Sequence, residues 1–286
     1  MQGSLRVGNK YTLLEKIGQG NFGEVHRGCH YKTLDPVAIK FESSQSQFRI
    51  LKHETTILKY LHEHGCRTVP LIHWFGVFQE NAVCVMSFYE CSLLDLCKSD
   101  LSKEKVDRIM ASAISIIESI HTHYVLHRDI KPQNFMIRNN ELYIIDFGLS
   151  TFYVDDKLNH LENLEKKDSI LGSPKYASYN IHCGENGSRR DDLISLGYMY
   201  MVLCRKELPW EIIDAPNGNG IPETHLCHPK NLLRKELKSW ENLDAQLFAF
   251  GENIHIYLKY CYNLSYTGSP NYDGLYRLFA ASASAP

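Results

Sequence analysis

His127-Arg128-Asp129-Ile130-Lys131-Pro132-Gln133-Asn134 puts a carboxylate, an ammonium and a carboxamide within the six residues from Asp129 to Asn134. Twelve positions further on, Asp146-Phe147-Gly148 closes the apolar run Leu142-Tyr143-Ile144-Ile145. A lone aspartate would read as a cap or a turn residue. In this order and spacing the set has a chemical use. One carboxylate and one carboxamide oxygen suit magnesium, which prefers hard oxygen ligands. A second carboxylate can accept the proton of an attacking hydroxyl.

Upstream, Ile17-Gly18-Gln19-Gly20-Asn21-Phe22-Gly23-Glu24-Val25 carries the pattern G-x-G-x-x-G. Glycines also make plain turns, so the pattern alone is weak. A dinucleotide site needs a helix directly after the glycines. Glu24 to Cys29 reads better as a strand, which predicts a glycine hairpin. Backbone amides in such a hairpin can approach phosphates because glycine has no Cβ. Val37-Ala38-Ile39-Lys40 places its lysine seventeen positions after Gly23, and Glu54 follows fourteen later. Each charge alone reads as a surface residue. Paired across a strand and a helix, they would hold the ammonium toward phosphate oxygens.

The rest of the chain divides by pattern. Tyr11–Ile17, Glu24–Cys29, Pro36–Phe41, Leu71–Phe78 and Ala82–Phe88 read as strands, with a turn at Gln79-Glu80-Asn81. Residues 48–61 have the apolar spacing of an amphipathic helix. From Ser92 onward helices dominate, with Val106, Ile109, Met110, Ala113, Ile116, Ile117 and Ile120 marking one buried face. The expected organisation is an N-terminal extension at 1–10, a β-rich lobe at 11–89, a helical lobe at 90–280 and a short frayed tail at 281–286.

Composition excludes several classes. Of 286 residues, 44% are hydrophobic and 22% charged, the balance of a globular protein. Formal net charge is -2, so no global basic excess argues for nucleic acid or an anionic membrane surface. The first residues have no signal-peptide core, and no run of apolar residues is long enough to span a bilayer. The nine cysteines are odd in number and irregular in spacing, which reads as reduced intracellular thiol. His225, Cys227 and His228 lack a second Cys/His pair at a zinc-site spacing, which favours a loop over a metal site.

Taken together, the glycine loop, Val37-Ala38-Ile39-Lys40, Glu54, the His127–Asn134 loop and Asp146-Phe147-Gly148 resemble a eukaryotic protein kinase over about residues 11 to 280. A narrower likeness follows. The chain lacks the usual Ala-Pro-Glu and reads Gly172-Ser173-Pro174-Lys175-Tyr176-Ala177-Ser178-Tyr179-Asn180-Ile181-His182 instead. With Ser188-Arg189-Arg190-Asp191-Asp192, Leu208-Pro209-Trp210 and Pro270–Phe279, that series resembles the casein kinase 1 family, of which this would be a divergent, short member.

The resemblance implies an α+β, bilobal kinase fold and a serine/threonine protein kinase using ATP and Mg2+. It implies that Asp129 is the base, that Lys131 steadies the transferring group, and that Asn134 and Asp146 ligate magnesium. Lys40, held by Glu54, would contact phosphates beneath Gly18, Gly20 and Gly23. Ile17, Val25, Ala38 and Met136 would enclose the adenine, with Met86 behind it and backbone groups of Ser87 and Tyr89 at its edge. Asp192 would hydrogen-bond the catalytic-loop backbone. Protein substrates are implied, acidic or phosphate-primed in the family's manner. A monomer is expected, and the cysteine usage points to the cytoplasm or nucleus.

Departures from the family bear on substrate choice. Lys175 matches one position of the family's anion patch. Ser150-Thr151-Phe152 replaces its usual lysines, and Glu211–Gly220 has no basic residue. A weaker preference for primed substrates is therefore expected, unless Lys166 and Lys167 compensate. Glu90-Cys91-Ser92 replaces the family's Gly-Pro-Ser. Arg128 faces the question of activation-segment phosphorylation, for which Ser169 is the nearest candidate; dependence on it is not expected. The rival readings are a pseudokinase scaffold and a small-molecule phosphotransferase.

Overall fold

The computed structural model describes residues 6–20, 23–43, 49–163, 165–211, 218 and 220–280. The expected tail at 281–286, the loop residues Asn21 and Phe22, the predicted helix start at Phe48 and most of 211–220 lie outside them. The chain forms two compact units. One comprises Met1–Ser92 with Met136–Leu149, the other Leu93–Phe135 with Ser150–Pro286. A single cut in the sequence would not separate them.

The first unit is built on a sheet of six strands in the order β1-β2-β3-β4-β6-β5. These are β1 (Arg6–Val7), β2 (Tyr11–Gly20), β3 (Gly23–His30), β4 (Pro36–Glu42), β5 (Ile72–Phe78) and β6 (Asn81–Ser87). Helix α1 (Ile50–Glu63) lies between β4 and β5 in the chain. Val7 is fully buried and pairs with Tyr11, so residues 6–7, expected in the extension, form an edge of this sheet. Side chains alternate along a strand. Val37 and Ile39 of β4 therefore join Val83 and Val85 in one core cluster with Trp74 and Phe78. Ala38 and Lys40 take the other face. There Ala38 packs with Met86, Cys84 and Leu51 of α1. This alternation points Lys40 at the helix. The turn at Gln79 and Glu80 uses positive φ at both residues, 47° and 65°, as a two-residue hairpin of type I′ requires.

The first unit also takes in β7 (Cys91–Ser92), most of β9 (Phe135–Arg138) and β10 (Glu141–Ile144), which form a small sheet in the order β10-β9-β7. Between β7 and β9 in sequence come α2 (Leu93–Leu96), α3 (Lys103–Thr122) and β8 (Val125–Leu126) of the second unit.

The second unit is helical. Beyond β10 it comprises β11 (Thr151–Phe152), paired with β8, then α4 (Tyr179–His182), α5 (Arg189–Arg205), α6 (Pro229–Leu237), α7 (Trp240–Leu247), α8 (Glu252–Asn263) and α9 (Tyr272–Ala280). The apolar face of α3 is buried at Val106, Met110, Ala113, Ile117 and Ile120, as its spacing predicts. Its start is capped by Ser102, which accepts from the Lys105 N–H at 3.3 Å. Helix α5 is buried nearly all round from Asp191 to Leu203, so it forms the centre of the unit. Among the described residues no helix is long and apolar enough to cross a membrane.

Candidate active site

In the first unit, the glycine run is a hairpin. Gly18 pairs with Val25, Gln19 with Glu24 and Gly20 with Gly23. A strand thus follows the glycines, where a dinucleotide site would need a helix. The register slips between Lys16 and Gly18, leaving Ile17 at an irregularity and 48% exposed. Gly23 has φ +143°, and a Cβ there would lie 1.7 Å from the Phe41 carbonyl oxygen. The sheet itself therefore demands glycine at 23.

Lys40 meets Glu54 across strand and helix. Its Nζ lies 2.7 Å from Glu54 Oε2 and 3.1 Å from Asp146 Oδ1. Glu54 is 1% exposed. Burial opposes the charge on Lys40, but the two carboxylates outweigh it and hold its pKa above the ordinary lysine value. Burial, with Asp146 adding repulsion, holds the Glu54 carboxyl above its usual range even against Lys40. Asp146 itself adopts φ +69°, a left-handed conformation that aspartate tolerates better than most residues.

The expected adenine residues also belong to this unit. Ala38 pairs with Met86 across the β4–β6 ladder. Ser87 donates its N–H to the Leu71 carbonyl at 3.1 Å, and its hydroxyl accepts from the Leu71 N–H at 3.2 Å. Tyr89 packs tilted against Tyr143 at 4.8 Å between ring centroids, and burial pushes its phenol up. Met136 pairs with Ser92. Val25 and Met136 are half-buried.

In the second unit, Asp129 is 7% exposed and is held from several sides. Its Oδ2 accepts from Lys131 Nζ at 2.6 Å and from Asn134 Nδ2 at 3.2 Å. Its Oδ1 accepts from the Ser173 N–H at 3.0 Å. Lys131 Nζ also reaches Ser173 Oγ at 3.1 Å. Asn134 Nδ2 donates a second bond to the Asp129 carbonyl at 2.8 Å. Both partners are acceptors, so the amide nitrogen must face them, and the amide oxygen is the atom Asn134 can offer a cation. A cavity of about 310 Å³ lies beside this loop, lined by Arg128, Asp129, Ser173, Tyr176, Ser178 and others.

Asp192, at the start of α5, accepts from the N–H of His127 at 2.8 Å, of Arg128 at 2.9 Å and from His121 Nε2 at 3.0 Å. This is the backbone support expected of it. Burial alone would raise its pKa, but His121, His127 and these bonds outweigh that and hold it below the usual carboxylate range. The support offsets strain, since Arg128 has φ +67°. Glycine is needed opposite: Gly172 has φ +89°, and a Cβ there would come 2.5 Å from the Arg128 carbonyl oxygen.

A family model of the protein kinase domain matches residues 11–258. The chain belongs to the protein kinase domain family. Its kinase domain has a β-rich N-terminal region and a helical C-terminal region. Kinase domains act on protein substrates with ATP and usually Mg2+. The donor chemistry fits both. Lys40 faces two carboxylates, a surplus of negative charge that suits a divalent cation. Exposed Ile17 beside the glycine hairpin suits an apolar base.

Some residues that shape the kinase site escaped the sequence reading. Glu42, 4% exposed, accepts from the N–H groups of Ile50 at 3.0 Å and Leu51 at 3.2 Å, so β4 caps the helix that carries Glu54. Asp191 accepts from Ser178 Oγ at 2.6 Å and Asn180 Nδ2 at 3.0 Å, tying the Ser178-Tyr179-Asn180 stretch to α5. A run of Ser or Asp carries no signal for such pairing at a distance. Lys175 is half-buried, with its amine 5.7 Å from the Tyr176 ring centroid. Of the lysines named as compensating, Lys167 pairs with Glu165 at 2.9 Å. His225 and His228 each accept a backbone N–H, from Cys227 at 3.1 Å and Lys230 at 3.2 Å, the latter capping α6.

Proposed function

We propose that this chain is a casein kinase 1-like serine/threonine protein kinase, transferring the γ-phosphate of ATP to serine and threonine hydroxyls of protein substrates. The observation that carries the reading is the Asp129 carboxylate with the Lys131 ammonium at 2.6 Å. A lysine two positions after the base resembles the serine/threonine pattern. The Ser178-Tyr179-Asn180 element, bonded through Ser178 and Asn180 to Asp191, supports the casein kinase 1 likeness.

In this reading Asp129 orients the acceptor hydroxyl and takes its proton as the oxygen attacks. Lys131 bonds the base and stands ready as a point charge for the negative charge of transfer. Mg2+–ATP supplies the phosphoryl group and neutralises its charge. Asn134 and Asp146 would offer oxygens to the metal. Lys40, oriented by Glu54, would meet the α- and β-phosphates, with Gly18, Gly20 and Gly23 above them. Ile17, Val25, Ala38, Met86 and Met136 would cover the adenine, and backbone groups of Ser87 and Tyr89 would bond its edge. The protein works mainly by positioning and charge.

Magnesium-dependent transfer of labelled γ-phosphate to an acidic serine peptide tests the proposal. The wild type is expected to transfer, and Asp129→Asn to lose about 10³-fold in kcat while still binding ATP. Lys40→Met is expected to abolish transfer. Equal turnover in either variant would remove the assigned role. ATP binding without transfer by the wild type would favour the scaffold reading, and transfer to small hydroxyl compounds alone would favour the small-molecule one.

A reduced preference for primed substrates belongs to the same proposal. Ser150 is 1% exposed and bonds the His127 carbonyl at 3.3 Å, so it offers no cation where the family usually has lysine. Peptides with and without an upstream phosphoserine should differ by less than about tenfold in kcat/KM. A larger preference would refute it. The same reading takes the protein as a monomer; a net charge of -2 supports no nucleic-acid role, and nine thiols support the cytoplasm or nucleus.

A further inference from the structure

Lys238 follows α6 and is 0% exposed, the only lysine among the buried described residues. A buried ammonium needs partners for every N–H. Its Nζ has them in one short stretch of chain: the carbonyls of Pro174 at 3.0 Å, Lys175 at 3.1 Å and Ala177 at 2.7 Å. Two aromatic faces complete the enclosure, Trp210 at 4.8 Å and Tyr198 at 5.2 Å from Nζ to the ring centroid. Trp210 Nε1 donates to the same Lys175 carbonyl at 2.9 Å.

The neighbouring imidazole adds no second positive charge. His182 Nε2 lies 3.1 Å from Nζ, and burial with the lysine's charge lowers the His182 pKa to about 2, so the ring stays neutral. Burial and Arg234 draw the lysine's own pKa well below its ordinary value, with Glu211 opposing. The three carbonyl oxygens pull the other way, because only the ammonium has a third N–H to give. The segment it gathers begins at Ser173, whose N–H and Oγ bond Asp129 and Lys131. Nothing in the motif reading assigned Lys238 a part.

We propose that Lys238 is a positioning residue for the acceptor side of the reaction: by drawing together the carbonyls of Pro174, Lys175 and Ala177, its ammonium fixes the backbone on which the acceptor peptide docks and which presents Ser173 to Asp129 and Lys131. The inference rests on the kinase reading given above. It accounts for a peptide-accepting segment shaped from within, by an internal cation.

The test compares wild type, Lys238→Met, Lys238→Arg and Trp210→Phe in full-length protein. Three readouts are needed: peptide kinetics, Mg2+–ATP affinity and thermal melting. Methionine keeps the stem's volume and removes the charge. Lys238→Met is expected to lower peptide kcat/KM by about 30-fold or more while ATP affinity stays within about twofold. Lys238→Arg should recover part of that loss, which a role in filling space would not predict. Trp210→Phe keeps a ring face, loses one bond to Lys175, and should cost about threefold in peptide kcat/KM alone.

A folded Lys238→Met with peptide kcat/KM within threefold of wild type would overturn the inference and leave the kinase reading standing. Equal losses of ATP affinity and peptide kinetics would overturn it too, since the lysine would then only stabilise the fold. If Lys238→Met does not fold, Trp210→Phe decides, and unchanged peptide kinetics there count against the proposal. A wild type that binds ATP but phosphorylates no peptide overturns the kinase reading and this inference with it.

Discussion

Gly23 shows what a single residue can hide. The sequence places it in a nucleotide-type glycine loop, which suggests that it is small for the sake of phosphates. The structure supplies a nearer reason: a Cβ would lie 1.7 Å from the Phe41 carbonyl oxygen, at φ +143°. Gly23→Ala should therefore destabilise the protein itself, by about 2–3 kcal/mol, from strain and backbone displacement. Thermal melting without nucleotide checks this; an unchanged midpoint with weakened ATP binding would restore phosphate approach as the sole reason. Lys40 and Glu54 went the other way. Each was uninformative singly, and the spacing of strand and helix made the pair legible; they meet at 2.7 Å. What could not be read was Asp146 as the second carboxylate on the same ammonium, 106 positions from Lys40.

Among elements, α1 was legible because its apolar residues recur at helical spacing. Of these residues Leu51, Ile57, Leu58 and Leu61 are buried, while Ile50 at the first turn is half-buried. Its start was not legible, because the cap comes from another strand. The helix has no side-chain bond from its own N-cap residue, Arg49. Glu42 does that work instead, accepting two of the first N–H groups and placing negative charge at the positive helix end. Glu42→Ala should cost about 1–2 kcal/mol and lower the melting midpoint by several degrees. Because α1 carries Glu54, the same variant should weaken ATP binding, whereas a change in neither quantity would show the cap to be dispensable. The Asp129–Asn134 segment behaved differently. Asp129, Lys131 and Asn134 stand close in sequence and stay close in space. Ser173 joins them from 44 positions away through a backbone N–H, which leaves no trace in residue type.

For the whole molecule, buried histidines set the response to acid. His121 is 1% exposed between Asp192 and the Tyr272 hydroxyl, at 3.0 and 2.6 Å, joining α3, α5 and α9. Burial lowers its pKa from the ordinary 6.5, with Asp192 opposing. A histidine kept neutral in the fold binds fewer protons than in the unfolded chain. Its contribution is complete above about pH 6.5 and is lost as pH falls. His182, lowered to about 2, acts in the same direction. Asp192, held below its ordinary 3.8, adds stability that disappears only at still lower pH. Melting midpoints should thus fall steadily from pH 7 to 5, and His182→Gln should flatten the slope. A midpoint that rises on acidification would contradict the assignment. The division into β-rich and helical halves was legible from patterning. The return of Met136–Leu149 to the first unit was not, since a short hairpin looks alike wherever it belongs.

That return has a consequence for inheritance. Cys91 pairs with Ile137, the Ile144 N–H bonds the Thr68 carbonyl at 2.9 Å, and Tyr143 packs against Tyr89. A genetic crossover anywhere between codons 93 and 135 would take the leading strands from one parent and their partner hairpin from the other. Relatives that trade only the leading stretch must therefore reconcile two histories inside a single unit. Chimaeras built for study should therefore take both stretches from one parent.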